Sequence, residues 1–106
     1  MSDEIQIDRE RAIPAHELNF SASRSSGPGG QHANKTSSRV TLSWNVEQTD
    51  VLTEPEKTRL ISQASSHMTD DGILKVSCDE SRSQFRNRSI ARKTLAGIVR
   101  EGIKRR

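Results

Sequence analysis

The sequence predicts an α+β domain: a small mixed sheet in the order β-β-loop-β-α-β-α, with two helices packed on one face and a glycine-rich loop projecting from it. Three observations predict this. Apolar residues alternate in several short runs, two longer stretches repeat them at helical spacing, and residues 23–38 hold almost none.

The elements follow in chain order. Ile5-Gln6-Ile7 alternates and predicts an edge strand, which Pro14 then interrupts. Leu18-Asn19-Phe20-Ser21-Ala22 alternates again and predicts a second strand. Val40, Leu42 and Trp44, interleaved with Thr41, Ser43 and Asn45, predict a half-buried third strand. Thr53-Glu54-Pro55-Glu56 carries the signature of a helix start: a hydroxyl cap, a glutamate three residues on, and a proline in the first turn. Leu60, Ile61, Ala64 and Met68 then give one apolar face, and the helix is expected over about 54–67. Asp70-Asp71-Gly72 is a turn, and Ile73, Leu74 and Val76 begin a strand ending near Cys78. A long helix is expected over about 83–104. At 100° per residue, Phe85, Ala91, Leu95, Ile98, Val99 and Ile103 fall within an arc of about 140°, the expected core face.

Composition bounds the function. The 106 residues suit one domain, 1–106, and contain one Trp, two Phe and no Tyr, leaving Val, Ile and Leu to build a modest core. No apolar run approaches the ~20 residues of a membrane span, and the charged start MSDEIQIDRERA is unlike a signal peptide. The single cysteine, Cys78, excludes an internal disulfide framework, so a reducing, cytoplasmic setting is expected. Net charge is only +3, but it is unevenly spread. Residues 82–106 hold nine basic residues against Glu101 alone, whereas residues 1–81 hold 8 basic and 13 acidic. A basic C-terminal helix over 83–106 therefore reads either as a solvated face or as a polyanion-binding end.

Residues 23–38 have three glycines, one proline and five serines, and read as a flexible loop. A plain linker accounts for that composition. It accounts less well for Gln31, His32, Asn34 and Lys35 directly after the glycines, where hydrogen-bonding side chains join maximal backbone freedom. A phosphate loop is one residue away: Gly29 to Thr36 matches G-x-x-x-x-G-K-S/T except that Asn34 replaces the second glycine. The strand 73–78 followed by Asp79 even imitates a magnesium-binding strand. Such a fold needs several parallel strands with crossover helices, and this pattern does not supply them. His32 as a catalytic base lacks a neighbouring nucleophile and an orienting acid. His16, His32, His67 and Cys78 lack zinc-ligand spacing. No metal and no cofactor are expected.

The stretch Arg24-Ser25-Ser26-Gly27-Pro28-Gly29-Gly30-Gln31-His32-Ala33-Asn34-Lys35-Thr36 resembles the GGQ signature of the catalytic domain of class I peptide-chain release factors. It is most similar to the stand-alone ribosome-rescue peptidyl-tRNA hydrolases of the alternative rescue factor B type. The resemblance covers nearly the whole chain, and Ser81-Arg82-Ser83-Gln84 followed by Asn87-Arg88 opens the last helix as in that family. Ala33 stands where Val or Ile is usual, and Arg39 where Lys or a smaller residue is common.

The resemblance implies a ribosome-dependent, codon-independent hydrolase that cleaves the peptidyl-tRNA ester in the peptidyl-transferase centre, in rescue of stalled ribosomes. Gly29, Gly30 and Gln31 would be catalytic. Gly27, Pro28, His32, Asn34, Lys35 and Thr36 would shape and dock the loop. Arg24, Arg39, Arg82, Arg86, Arg88, Arg92 and Lys93 would contact RNA. The implied partners are large-subunit ribosomal RNA and peptidyl-tRNA, with no membrane, and the chain would act as a monomer. The alternative is a ribosome- or RNA-binding module that keeps the fold without the chemistry.

Overall fold

The computed structural model describes residues 4–23 and 39–104. Two antiparallel sheets are built from five short strands: β1 (Ile5–Gln6) pairs with β2 (Ala12–Ile13), and β3 (Leu18–Ser23), β4 (Arg39–Asn45) and β5 (Ile73–Cys78) form the main sheet in that order. The helices are α1 (Glu54–Gln63) and α2 (Gln84–Gly102). The α+β expectation holds. The mixed sheet is corrected to antiparallel pairing throughout the described residues. Ile5–Gln6 is no edge strand of that sheet but pairs with Ala12–Ile13, a strand too short to show alternation, and Pro14 follows it.

Side-chain alternation on β3, β4 and β5 sorts the sheet into two faces. Leu18, Trp44 and Leu74 form one cross-strand row, Phe20, Leu42 and Val76 the next, and Ala22, Val40 and Cys78 the third. Trp44, Leu42 and Leu74 are fully buried. The opposite face carries Asn19, Ser43 and Lys75, then Ser21, Thr41 and Ser77, with the Thr41 and Ser77 hydroxyls 2.8 Å apart. The indole N–H of Trp44 donates to Glu17 Oε1 at 2.9 Å, and the Thr49 hydroxyl donates to the same oxygen at 2.7 Å. The polar atom of the largest core side chain is thus satisfied.

Helix α2 lies across β4 and β5 through Ala91, Leu95, Ala96 and Val99. Helix α1 packs against α2, with Leu60 filling the space that the missing side chain of Gly102 leaves. The two helices therefore do not share the sheet equally. Helix α1 begins as expected: Thr53 Oγ1 accepts from Glu56 N at 3.3 Å, and the Glu56 carboxylate accepts from Thr53 N at 2.9 Å. It ends at Gln63, and a single 3-10 turn over Ser65–His67 carries the chain on. The α2 boundaries tighten to Gln84–Gly102, with Ser83 as the cap.

Glu56 also receives both terminal nitrogens of Arg11, at 2.7 and 3.0 Å, and Arg11 bonds Asp8 as well. The clamp ties the β1–β2 ribbon to the start of α1. Hydrogen bonding from Arg11, foremost, holds the Glu56 carboxyl well below its ordinary range, to about 2, against the opposing effect of burial. Before β5 the chain turns at Gly72, whose φ of 82° lies in the left-handed region and whose missing side chain makes room for Glu47.

Phe85 departs from the expected core face. It is 83% exposed, the one large apolar side chain so exposed among the described residues. It sits in the first turn of α2, before the helix reaches the sheet at Asn87, so the apolar arc begins one turn later than the periodicity predicts.

Candidate functional site

Strands β3 and β4 end side by side, with Ser23 opposite Arg39. Arg24, Gly27, Pro28, Gly29, Gly30, Gln31, His32, Asn34, Lys35 and Thr36 lie outside the described residues, between those two positions. The described part of the candidate site is accordingly the end of the main sheet where β3 stops, β4 starts and β5 finishes.

Three features shape that end. Arg39 is half-exposed and pairs with Asp79 at 3.8 Å, so the first residue of β4 is linked to the residue after β5. The 79–83 turn is held from within by Asn87, which is fully buried. Asn87 Oδ1 accepts from Ser81 N at 2.9 Å and its Nδ2 donates to Ser81 O at 2.9 Å, so the amide mimics a strand neighbour. The Cys78 thiol donates to the same Oδ1 at 3.4 Å. Finally, Ser83 caps α2 by accepting from Arg86 N at 3.1 Å, and its own N–H donates to Ser81 Oγ at 3.0 Å. Ser81, Ser83 and Asn87 form the joint that launches α2 from the sheet.

Positive charge gathers at this joint. Arg82, Arg86 and Arg88 are all exposed, and the first turn of α2 has no acidic residue. A helix N-terminus already carries partial positive charge, so arginines there are placed against the dipole. An anion at this end relieves both. The Arg88 guanidinium lies 4.1 Å above the centre of the Phe20 ring, which fixes its carbon stem and leaves its charge in a surface groove. That groove, of about 510 Å³, is lined by Gln84, Phe85, Arg88, Ser89 and Arg92. Arg92 is half-buried and donates to the Glu4 carbonyl at 2.8 Å, tying α2 to the N-terminal segment. Lys93 is exposed but borders a different groove, with Gln63, His67 and Gly97. The structure thus brings Arg88 and Arg92 together around Phe85, while Lys93 also meets Arg92 and Arg100 in a further groove beside Glu4 and Gln6.

Phe85, Phe20 and Asn87 were not among the sequence candidates. Phe20 and Phe85 read as core by periodicity alone. Asn87 had a signal: a polar residue on the face shared by Ala91 and Leu95 marks a buried amide that needs partners.

The model of the RF-1 domain family matches residues 4–106. The chain belongs to the RF-1 domain family. It is similar to the peptidyl-tRNA hydrolase ArfB of Pseudomonas putida, 34% identical over 95 residues, which cover 90% of this chain and 69% of that protein. It is also similar to the large ribosomal subunit protein mL62 of Mus musculus, 30% identical over 89 residues, covering 84% of this chain and 43% of that protein. The chain thus spans less than half the length of mL62. This RF-1 domain has no described helix long and apolar enough to cross a membrane. Among its described residues no group of His, Cys, Asp and Glu side chains gathers as a metal site.

Proposed function

We propose that this RF-1 domain is a peptidyl-tRNA hydrolase that works on the ribosome, independently of a codon, to free stalled peptides. The observation that carries the reading is the match of an RF-1 domain to residues 4–106 together with Gly29-Gly30-Gln31, standing between the adjacent ends of β3 and β4. The printed names of the two relatives, a peptidyl-tRNA hydrolase and a large ribosomal subunit protein, support the substrate and the partner respectively.

The chemistry follows from the residue types. Gly29 and Gly30 have no side chains to obstruct a tight RNA-walled pocket, and they reach backbone angles closed to other residues. In this reading they aim the backbone N–H of Gln31 at the scissile ester, where it stabilises the developing negative charge or the departing ribose hydroxyl. One such donor is worth about 3 kcal/mol in comparable sites. The Gln31 amide is no general base near neutrality, so it orients the water rather than deprotonating it. The proton leaves through RNA or solvent, and the domain alone is nearly inert toward free peptidyl-tRNA. Gly27, Pro28, His32, Asn34, Lys35 and Thr36 shape and dock the loop. Arg24, Arg39, Arg82, Arg86, Arg88, Arg92 and Lys93 meet phosphates of ribosomal RNA without reading sequence.

The mL62 similarity favours one other reading, a ribosome-bound module without chemistry. A release assay with purified ribosomes carrying labelled peptidyl-tRNA separates the two. Under the hydrolase reading the parent releases peptide only with ribosomes present, and Gln31→Ala binds normally but releases slowly. No release by the parent at saturating occupancy contradicts it.

A further inference from the structure

We propose that Phe85 is a stacking platform for one unpaired base of large-subunit ribosomal RNA, with the neighbouring arginines holding the flanking phosphates. The inference rests on the proposed ribosomal action and adds a contact to it.

Phe85 contributes little to the fold. It is 83% exposed, whereas the core is completed by Trp44, Leu42, Leu95 and Val99 without it. Its surroundings are cationic: Arg82 and Arg86 are exposed beside it in sequence, and Arg88 and Arg92 line its groove. The acidic residues on this stretch are Asp79, already paired with Arg39, and Glu80. An apolar ring within a cationic rim is a poor match for an apolar protein surface, which would have to desolvate the arginines. It suits a nucleotide, which brings a π-face for the ring and a phosphate for the guanidinium. Arg88 is already held over Phe20 at 4.1 Å, so part of the ordering that binding requires is in place.

Position selects ribosomal RNA among nucleic acids. Strand β5 runs to the end of the sheet where residues 24–38 begin and end, and the 79–83 turn starts α2 at that same end. Phe85, in the first turn, therefore flanks the foot of the GGQ segment. In the proposed function, ribosomal RNA meets this end of the sheet, where Ser23 and Arg39 stand.

The test compares the parent with Phe85→Ala, Phe85→Leu and Phe85→Trp for affinity to ribosomes bearing peptidyl-tRNA. Short-wave ultraviolet crosslinking of the parent on those ribosomes, with the crosslinked residue mapped, identifies the partner. Stacking predicts binding about tenfold weaker for Phe85→Ala. Phe85→Leu is weakened as well, because leucine has no π-face, and Phe85→Trp binds at least as tightly as the parent. Melting temperatures stay within a degree or two, as the side chain is exposed, and the Phe85 crosslink falls on large-subunit RNA. Parental affinity in Phe85→Ala or Phe85→Leu overturns the inference, as does a crosslink to a ribosomal protein or to tRNA. A large drop in melting temperature also overturns it, since the ring would then be covered by this chain. Failure of the parent to release peptide defeats the ribosomal reading itself. Parental release with unaltered concentration dependence in Phe85→Ala defeats the stacking contact alone.

Discussion

The Asn87 side chain pairs with both backbone polar groups of Ser81, accepting from its N–H and donating to its carbonyl, each at 2.9 Å. Asn87 is fully buried, so this pairing decides how α2 leaves the sheet. The same turn carries Asp79, which holds Arg39 at the start of β4. One buried amide thereby fixes the basic helix relative to the foot of the GGQ segment.

Asn87→Ala leaves the part-buried Ser81 N–H and the buried Cys78 thiol without their acceptor. A loss of about 2–3 kcal/mol is expected, from the unmade hydrogen bonds and the cavity. In thermal melts this lowers the midpoint by roughly 10 °C or more. Asn87→Asp keeps the acceptor but loses the donor and buries a charge, so it is expected to be at least as damaging. A melt unchanged from the parent would show that the amide contributes nothing.

The Arg11–Glu56 clamp predicts a pH dependence. The folded Glu56 carboxyl sits at about 2, below its ordinary 4.5. A depressed acid stabilises the fold fully above 4.5, and that contribution disappears as pH falls through about 2. Glu56→Gln lacks the group, so its deficit against the parent is constant near neutrality, about 1–2 kcal/mol, and shrinks between those limits. Denaturant titrations at several pH values measure the difference. A deficit independent of pH down to 2 contradicts the assignment.

Arg82 and Arg86 are exposed in the turn before α2 and in its first turn. If they meet phosphates, Arg82→Ala with Arg86→Ala flattens the dependence of log affinity on log salt by roughly 1–2, with little change in melting temperature. Ribosome binding across a salt series tests this. An unchanged slope removes these two residues from the interface.

The three strands of the main sheet were legible because β3, β4 and β5 alternate, which puts Leu18, Trp44 and Leu74 on core-facing positions. Their antiparallel pairing in one row was not, since alternation sets the face and leaves the register open. The start of α1 was legible because Thr53 and Glu56 stand at capping-box spacing. Strand β2 was not, since two residues hold no period and only pairing with Ile5 and Gln6 defines it. Phe85 was misread because periodicity assigns a face to a whole helix, whereas α2 meets the sheet only from Asn87 onward. The cationic cluster was visible as charge, but which basic side chains share a groove, Arg88 with Arg92 on one side and Arg92 with Lys93 and Arg100 on the other, depends on how α2 is rotated against β4 and β5. The GGQ residues were legible only as a motif, because glycines, serines and a proline carry no burial pattern.

The most direct test of the central claim is single-turnover peptide release at saturating domain concentration, comparing the parent with a Gly29→Ala, Gly30→Ala double variant on ribosomes loaded with peptidyl-tRNA. If the backbone at this tip delivers the amide donor, the variant occupies ribosomes as the parent does and releases peptide at least about 100-fold more slowly. Release at the parental rate by the fully bound variant would contradict the account.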